Sequence, residues 1–263
     1  MTENAIQPLS KSRHALQRWR PYRHYDFAAN DAVVPIVAAE LYKAVMALPI
    51  GFVAVESSFV MVAVQGLAAG KNLLVAKDGS WLASYIPAAY RGYPFLLANT
   101  SDGKQVLCIN EGSGVITDDP DGERFFDDEG NPAKSVLDVL EFLKRVATAR
   151  EATKRICAAL QKYDLIQPWT IKVQHSANEQ QIAGLYRVDE AVLNTLTGDA
   201  FVELRDIGAL QAAYCQLLSI QHLPRLGDLA QAHAKAGIPS TPSGELDLEF
   251  LNQGGTLKFD HLN

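Results

Sequence analysis

The chain has 263 residues, 48% of them hydrophobic and 21% charged, and a net charge of −6. Those proportions exclude a disordered chain and suit one large domain or two intimately packed smaller ones. The charge is uneven, because five Lys or Arg between positions 1 and 23 face only Glu3; the acidic body beyond them argues against nucleic acid as a partner.

Residues 1–34 are expected to form a basic arm, solvated or docked on the body. It ends in a dense cluster of Trp19, Tyr22, Tyr25 and Phe27 among Arg20, Arg23, His24 and Asp26. Pro35 then suits the first turn of a helix, whose face is lined by Val37, Leu41, Val45 and Leu48 until Pro49 stops it. The runs 50–55 and 59–65 are short and rich in β-branched residues, as buried strands are. Between positions 44 and 69 only Glu56 is charged, yet Pro49, Gly51 and Gly66 interrupt the run. A membrane helix needs about 20 consecutive apolar residues, so the stretch reads as a helix end and two strands, with no membrane span.

A turn at Gly70, Lys71 and Asn72, a strand over 73–76, the turn at Asp78 and Gly79, and Trp81 continue an antiparallel meander. Two more strands, 93–98 and 105–110, flank a turn at Ser101, Asp102 and Gly103. Residues 117–131 form a loop with seven acids, pinned to the body by Phe125 and Phe126, and mark the best internal boundary.

Beyond Pro132 the period becomes helical. Val136, Val139, Leu140, Leu143, Ile156 and Leu160 form the stripe, with Glu141 to Arg145 and Glu151 to Arg155 as spaced ion pairs. Strands over 169–173 and 182–188 are expected to return to a sheet, with a hairpin around 176–179. Helices follow over 190–196, 200–206 and 210–236, the last interrupted near Pro224, and then a loosely ordered tail over 237–263. The resulting fold class is α+β: a β-rich antiparallel N-terminal half packed with a predominantly helical C-terminal half. Its parts are a basic arm (1–34), a β-rich part (35–131), a mainly helical part (132–236) and the tail.

Cys108, Cys157 and Cys215 are too few and too widely spaced for a disulfide framework or a metal knuckle, and they sit in apolar runs that read as core. A reducing, cytoplasmic setting is expected, because the N-terminal residues lack the apolar core of a secretory signal. Gly66 to Lys71 has one residue too few between its glycines for a Walker loop, and Asn72 stands where magnesium needs a hydroxyl; a plain turn is expected. His24 and Asp26 have the spacing of a facial iron triad, with His175 or His222 as third ligand, but a local capping role fits an arm better. The acids of 118–129 lack the glycine and glutamate positions of a calcium loop, and Ser113 between two glycines lacks the outer spacing of a hydrolase elbow. No metal and no catalytic residue is nominated, and cofactors are left open.

Trp81, Tyr85, Tyr90, Arg91 and Tyr93, with Phe95 and two prolines nearby, are the candidate partner-binding residues, since aromatics with an arginine are the material of interface hot spots. The competing reading packs Trp81 and Phe95 in the core with the tyrosines at its rim. Buried tyrosines with bonded hydroxyls would remove the motive for an interface.

Five segments in order, VVPIVAAELYKAVMALPIGFV, GKNLLVAKDGSWLASYIPAAYRGYPFLLA, LCINEGSGV, FFDDEGNP and GLYRVDEAVLNTLTGDAFVELRDIGALQAAYCQLLSIQHLPRL, resemble the SapC-like family. The likeness runs from Val33 to Leu229, and 33–236 reads equally as one such domain. The resemblance implies a link to bacterial surface-protein export, although the permease label some members carry disagrees with the lack of a membrane span. It also implies association with genes for outer-membrane receptors, cupin-like oxygenases and flavin halogenases, and it carries over no catalytic residue. The function expected is a cytoplasmic accessory protein that binds a peptide, protein or secretion substrate. The alternatives are an enzyme whose site is assembled from scattered residues and a structural subunit of a larger assembly.

Overall fold

The computed structural model describes residues 5–100, 103–175 and 178–235. In chain order its elements are β1 (Ile6–Pro8), α1 (Lys11–His14), β2 (Arg18–Trp19), β3 (Val33–Pro35), α2 (Leu41–Ala44), β4 (Ile50–Val55), β5 (Ser58–Val64) and α3 (Ala88–Arg91). Then come β6 (Phe95–Asn99), β7 (Gln105–Asn110), β8 (Ile116–Thr117), β9 (Glu123–Arg124) and the long α4 (Lys134–Lys162). Four strands follow, β10 (Ile166–Pro168), β11 (Ile171–His175), β12 (Asn178–Ile182) and β13 (Leu185–Val188). The last helices are α5 (Glu190–Asn194), α6 (Gly198–Ile207), α7 (Ala209–Ser219) and α8 (Leu223–Lys235). Antiparallel sheets in the N-terminal half and helices thereafter make this an α+β fold.

Contacts divide the chain into two units. The first draws on residues up to Arg23 and on Arg91–Ala147, the second on His24–Tyr90 and on the described residues from Thr148 onward. The second unit is organised by an antiparallel sheet in the order β10-β13-β4-β5-β3. Its inner strand β4 begins with four consecutive buried residues, Ile50, Gly51, Phe52 and Val53, the pattern of a strand covered on both faces. Gly51 is there because a Cβ would lie 3.3 Å from the Trp169 ring and 3.2 Å from the Tyr186 carbonyl. Helix α7 packs against β4 and β13. Gln216, fully buried, stitches the three elements: its Oε1 accepts from Val188 N–H at 2.9 Å and its Nε2 donates to the Ile50 carbonyl at 3.1 Å. Ser219 Oγ accepts from Ile50 N–H at 2.8 Å.

The first unit has two small sheets, β1-β7-β6 and β8-β2-β9, around Trp19, Phe95, Ile109, Phe125, Phe126 and Val136. Its N-terminal segment is docked. Strand β1 pairs with β7, β2 lies between β8 and β9, and the Trp19 ring meets Phe95 edge-on at 4.9 Å. The basic side chains are answered locally: Arg13 forks onto Glu111, Arg18 donates to the Gly122 carbonyl, and Arg20 pairs with Asp119. Of the acids in the loop, Asp119 answers a basic residue of the N-terminal segment, and Phe125 and Phe126 anchor the loop as expected.

Several elements differ from the sequence reading. Val33–Pro35 is an edge strand beside β5, because two buried β-branched residues outweigh the helix-starting preference of Pro35, whose missing N–H an edge tolerates. The helix there shrinks to a 3-10 turn, Ala38–Glu40, and the four residues of α2. The strand expected over 73–76 reduces to one bridge, Val75 to Trp81, since the Asn72 side chain takes Leu74 N–H and Asp78 takes Ser80 N–H. Gly184, at φ 87°, splits the expected strand over 182–188 into the ends of β12 and β13. Glu151 meets Lys154 at 2.8 Å, one step nearer than Arg155. The break near Pro224 is a 3-10 turn, Ile220–His222, with Pro224 in the first turn of α8. The tail over 237–263 and the turn residues Ser101, Asp102, Ser176 and Ala177 lie outside the described residues.

Candidate functional site

The five candidate residues fall in both units: Trp81, Tyr85 and Tyr90 in the second, Arg91 and Tyr93 in the first. In the second unit Trp81 and Tyr90 lie 5.8 Å apart, centroid to centroid, in a cluster with Tyr25 and Phe27. Trp81 Nε1 donates to the Tyr85 carbonyl at 2.9 Å, and the Tyr85 hydroxyl donates to Glu40 at 2.7 Å. Tyr90 is 5% exposed. In the first unit Arg91 lies 5.1 Å over the Phe142 ring, and Tyr93 stacks edge-on with Tyr22 at 5.7 Å. The Tyr93 hydroxyl points at the Ser113 carbonyl at 3.5 Å.

Beneath the aromatics of the second unit lies a polar network that sequence reasoning missed. Glu40 is 5% exposed, and its carboxylate accepts from Val37 N–H, Ala88 N–H and the Tyr85 hydroxyl, at 2.7 to 2.8 Å. Asn72 has its orientation fixed by the backbone: Oδ1 accepts from Leu74 N–H while Nδ2 donates to the Ala28 carbonyl. Nδ2 also donates to Gln65 Oε1, which fixes the Gln65 amide and leaves its buried Nε2 without an acceptor. The Tyr90 hydroxyl reaches both Gln65 Oε1 at 2.8 Å and Asp31 Oδ2 at 2.9 Å. Burial, then the Asp31 charge, pushes the Tyr90 hydroxyl well above its ordinary pKa. Desolvation likewise raises Asp31. This network is nearly saturated from within and holds the 65–90 segment in place.

The other motif residues are locally engaged. His24 Nδ1 donates to the Asp78 carbonyl at 3.0 Å and His222 Nε2 to the Val45 carbonyl at 2.8 Å. All three cysteines are buried thiols, with Cys157 pushed up to about 12 by desolvation.

The outer face of α7 differs from an ordinary surface helix. Its outward residues Gln211, Tyr214 and Leu218, continued by Gln221, include no charge, and none of Asp, Glu, Lys or Arg occurs over 209–224. Leu218 is 63% exposed and Tyr214 44%. The bond from His222, one turn past Leu218, to Val45 brings Met46 to the same end of α7. Met46 and Tyr42, one turn before it, are 74% and 70% exposed. Leu217, Leu218, Ile220 and Gln221 also line an open groove of about 600 Å³, together with the charged Arg187, Asp189 and Glu190 and with Val188 and Ala191. The signal for this face was present in the sequence as a helix without charge, but periodicity alone does not tell a buried helix from an unoccupied docking face.

A family model described as SapC matches residues 9–226, so the likeness begins within the docked N-terminal segment and not at Val33. No curated protein and no solved structure matches. Among the described residues, no helix is long and apolar enough to cross a membrane.

Proposed function

Because the chain belongs to the SapC family, we propose that it is a cytoplasmic accessory protein that binds a polypeptide, in keeping with the link to surface-protein export that the family implies. The observation that carries this reading is the uncharged outer face of α7, where Tyr214 and Leu218 are exposed between Gln211 and Gln221, with Tyr42 and Met46 beside it. Exposed Leu, Met and Tyr resemble the centre of a protein interface, where aromatics and Met are enriched, and the exposed Lys43 and the charged Arg187, Asp189 and Glu190 beside them suit its polar rim. Of the candidate set, Trp81 and Tyr85 in one unit, through their rings, and Arg91 and Tyr93 in the other, through guanidinium and ring, are proposed as further, separate contacts; Tyr90 is buried and supports Trp81 from within.

The test uses the full chain and its Leu218→Glu variant, a substitution at an exposed position that leaves the core intact. Affinity capture from native cells is expected to enrich the same polypeptide with the wild type and not with the variant, and the tagged polypeptide should recover the chain in return. Equal capture by both proteins overturns the reading. So does a wild type that is a dimer in solution and becomes a monomer on Leu218→Glu, because the face would then serve a second copy of this chain.

A further inference from the structure

The open groove beside α7 lies within reach of a segment of the same chain. It is lined by the end of β13, the first residues of α5, the end of α7 and the 3-10 turn Ile220–His222. That turn leads directly into α8, so α8 starts at the groove. Its 13 residues, at 1.5 Å each, carry the chain roughly 20 Å before Lys235 ends the helix. Residues 236–244 contain Pro239 and Pro242, which favour extended chain, and at full stretch they cover roughly 30 Å. The residues that follow, 245–251, can therefore return to the groove.

This segment differs in kind from the linker before it. Leu246, Leu248 and Phe250 alternate strictly with Glu245, Asp247 and Glu249, which gives an extended chain one apolar edge and one acidic edge. The SapC match ends at residue 226, so the segment lies outside the shared body. The groove answers both edges. Leu217, Leu218 and Ile220 offer apolar surface, and Leu218 is the most exposed of them. Arg187 is exposed and, among the described residues, forms no ion pair. Asp189 is spent on capping α5, where it accepts from the N–H groups of Ala191 and Val192. The exposed Glu190 repels other acids and so steers the acidic edge towards Arg187.

We propose that residues 245–251 fold back into this groove as an extended strap, with the apolar edge against Leu217, Leu218 and Ile220 and the acidic edge towards Arg187. The inference rests on the reading of α7 as a docking face and names its regulation. The chain carries its own competitor for the face, and an incoming polypeptide of the same alternating apolar and acidic kind displaces it.

The test places a nitroxide on the full chain at Ser243→Cys, beside the segment; the three native cysteines are buried and stay unlabelled. The amide signals of Leu217, Ile220 and Gln221 should broaden relative to the reduced label, equally so on dilution, and should recover when Leu248→Ser and Phe250→Ser are added. A labelled synthetic peptide, ELDLEFL, should bind the Leu248→Ser/Phe250→Ser chain about tenfold more tightly than the wild type, if the strap occupies the groove about nine-tenths of the time. Unbroadened amides overturn the proposal, as does equal binding of the peptide to both chains. Broadening that fades on dilution overturns it too, because the segment would then come from a second copy. If the amides broaden while Leu218→Glu leaves polypeptide capture unchanged, the strap stands and the reading of α7 as a partner site falls. If capture depends on Leu218 and no amide broadens, the strap alone falls.

Discussion

Gln216→Met isolates the hydrogen bonds that join α7 to the sheet, because methionine nearly matches glutamine in volume and opens no large cavity. Two backbone groups lose their partner. Val188 N–H is left in the core without an acceptor, and such an orphan costs about 1–3 kcal/mol. The Ile50 carbonyl keeps only a shared donor, since the Ser219 hydroxyl 3.5 Å away already donates to the Gln216 carbonyl at 2.6 Å, and its loss is about 1 kcal/mol. The sum is roughly 2–4 kcal/mol, and with a urea slope of about 2–3 kcal/mol/M the midpoint should fall by about 1 M. Amide exchange at Val188 should accelerate beyond what the lower stability alone produces. An unchanged midpoint with unchanged exchange at Val188 would refute the assignment of Gln216 as the stitch between helix and sheet.

Asp31 is raised by desolvation, so its folded form holds its proton more tightly than the unfolded chain does, and the stability this brings is present at acid pH and lost as pH rises through the folded value. Asp31→Asn, which still accepts from Tyr90, should therefore melt near the wild type at about pH 4 and above it at pH 7; a variant less stable at pH 7 than at pH 4, relative to wild type, contradicts this. Glu111 has the opposite sign: the hydrogen bond from Arg13 holds its carboxyl below the usual range, so its contribution is present above the unfolded pKa and lost as pH falls through the folded one. Glu111→Gln should flatten the acid limb of the first unit's unfolding, read by Trp19 fluorescence in a variant lacking the other tryptophans. Cys157, held at about 12, should resist iodoacetamide in the native protein at pH 8 and react only on unfolding; native-state alkylation at a free-thiol rate would show that the site opens.

The alternation and runs that encode burial were legible: β4 and β5 fall where the β-branched residues are, and α6, α7 and α8 where the helical spacing and Pro224 place them. What sequence could not show was which element wins when two local signals compete, as at Val33–Pro35, where pairing with β5 decides. Nor could it show the partners of single polar residues in apolar runs. Gln65 ends one such run and Gln216 sits within another, and both read as surface positions until the fold closes over them. One clue was available for Gln216, since Ala212 and Ser219 share its stripe and a polar residue on a buried stripe needs bonds.

Along the outer face of α7 the surface carries no charge and exposes Tyr214 and Leu218 between two glutamines, so contact with another polypeptide removes apolar area from water while the glutamine amides keep hydrogen bonds to offer across it. Within the second unit several buried polar groups close on one another: Glu40 takes three donors, Asn72 uses both ends of its amide, and Gln216 bonds two strands. Leu218, 63% exposed, takes no part in these bonds, so Leu218→Glu should abolish capture while leaving the urea midpoint near that of the wild type; a midpoint that falls along with capture would point to a general loss of folding in place of a lost contact.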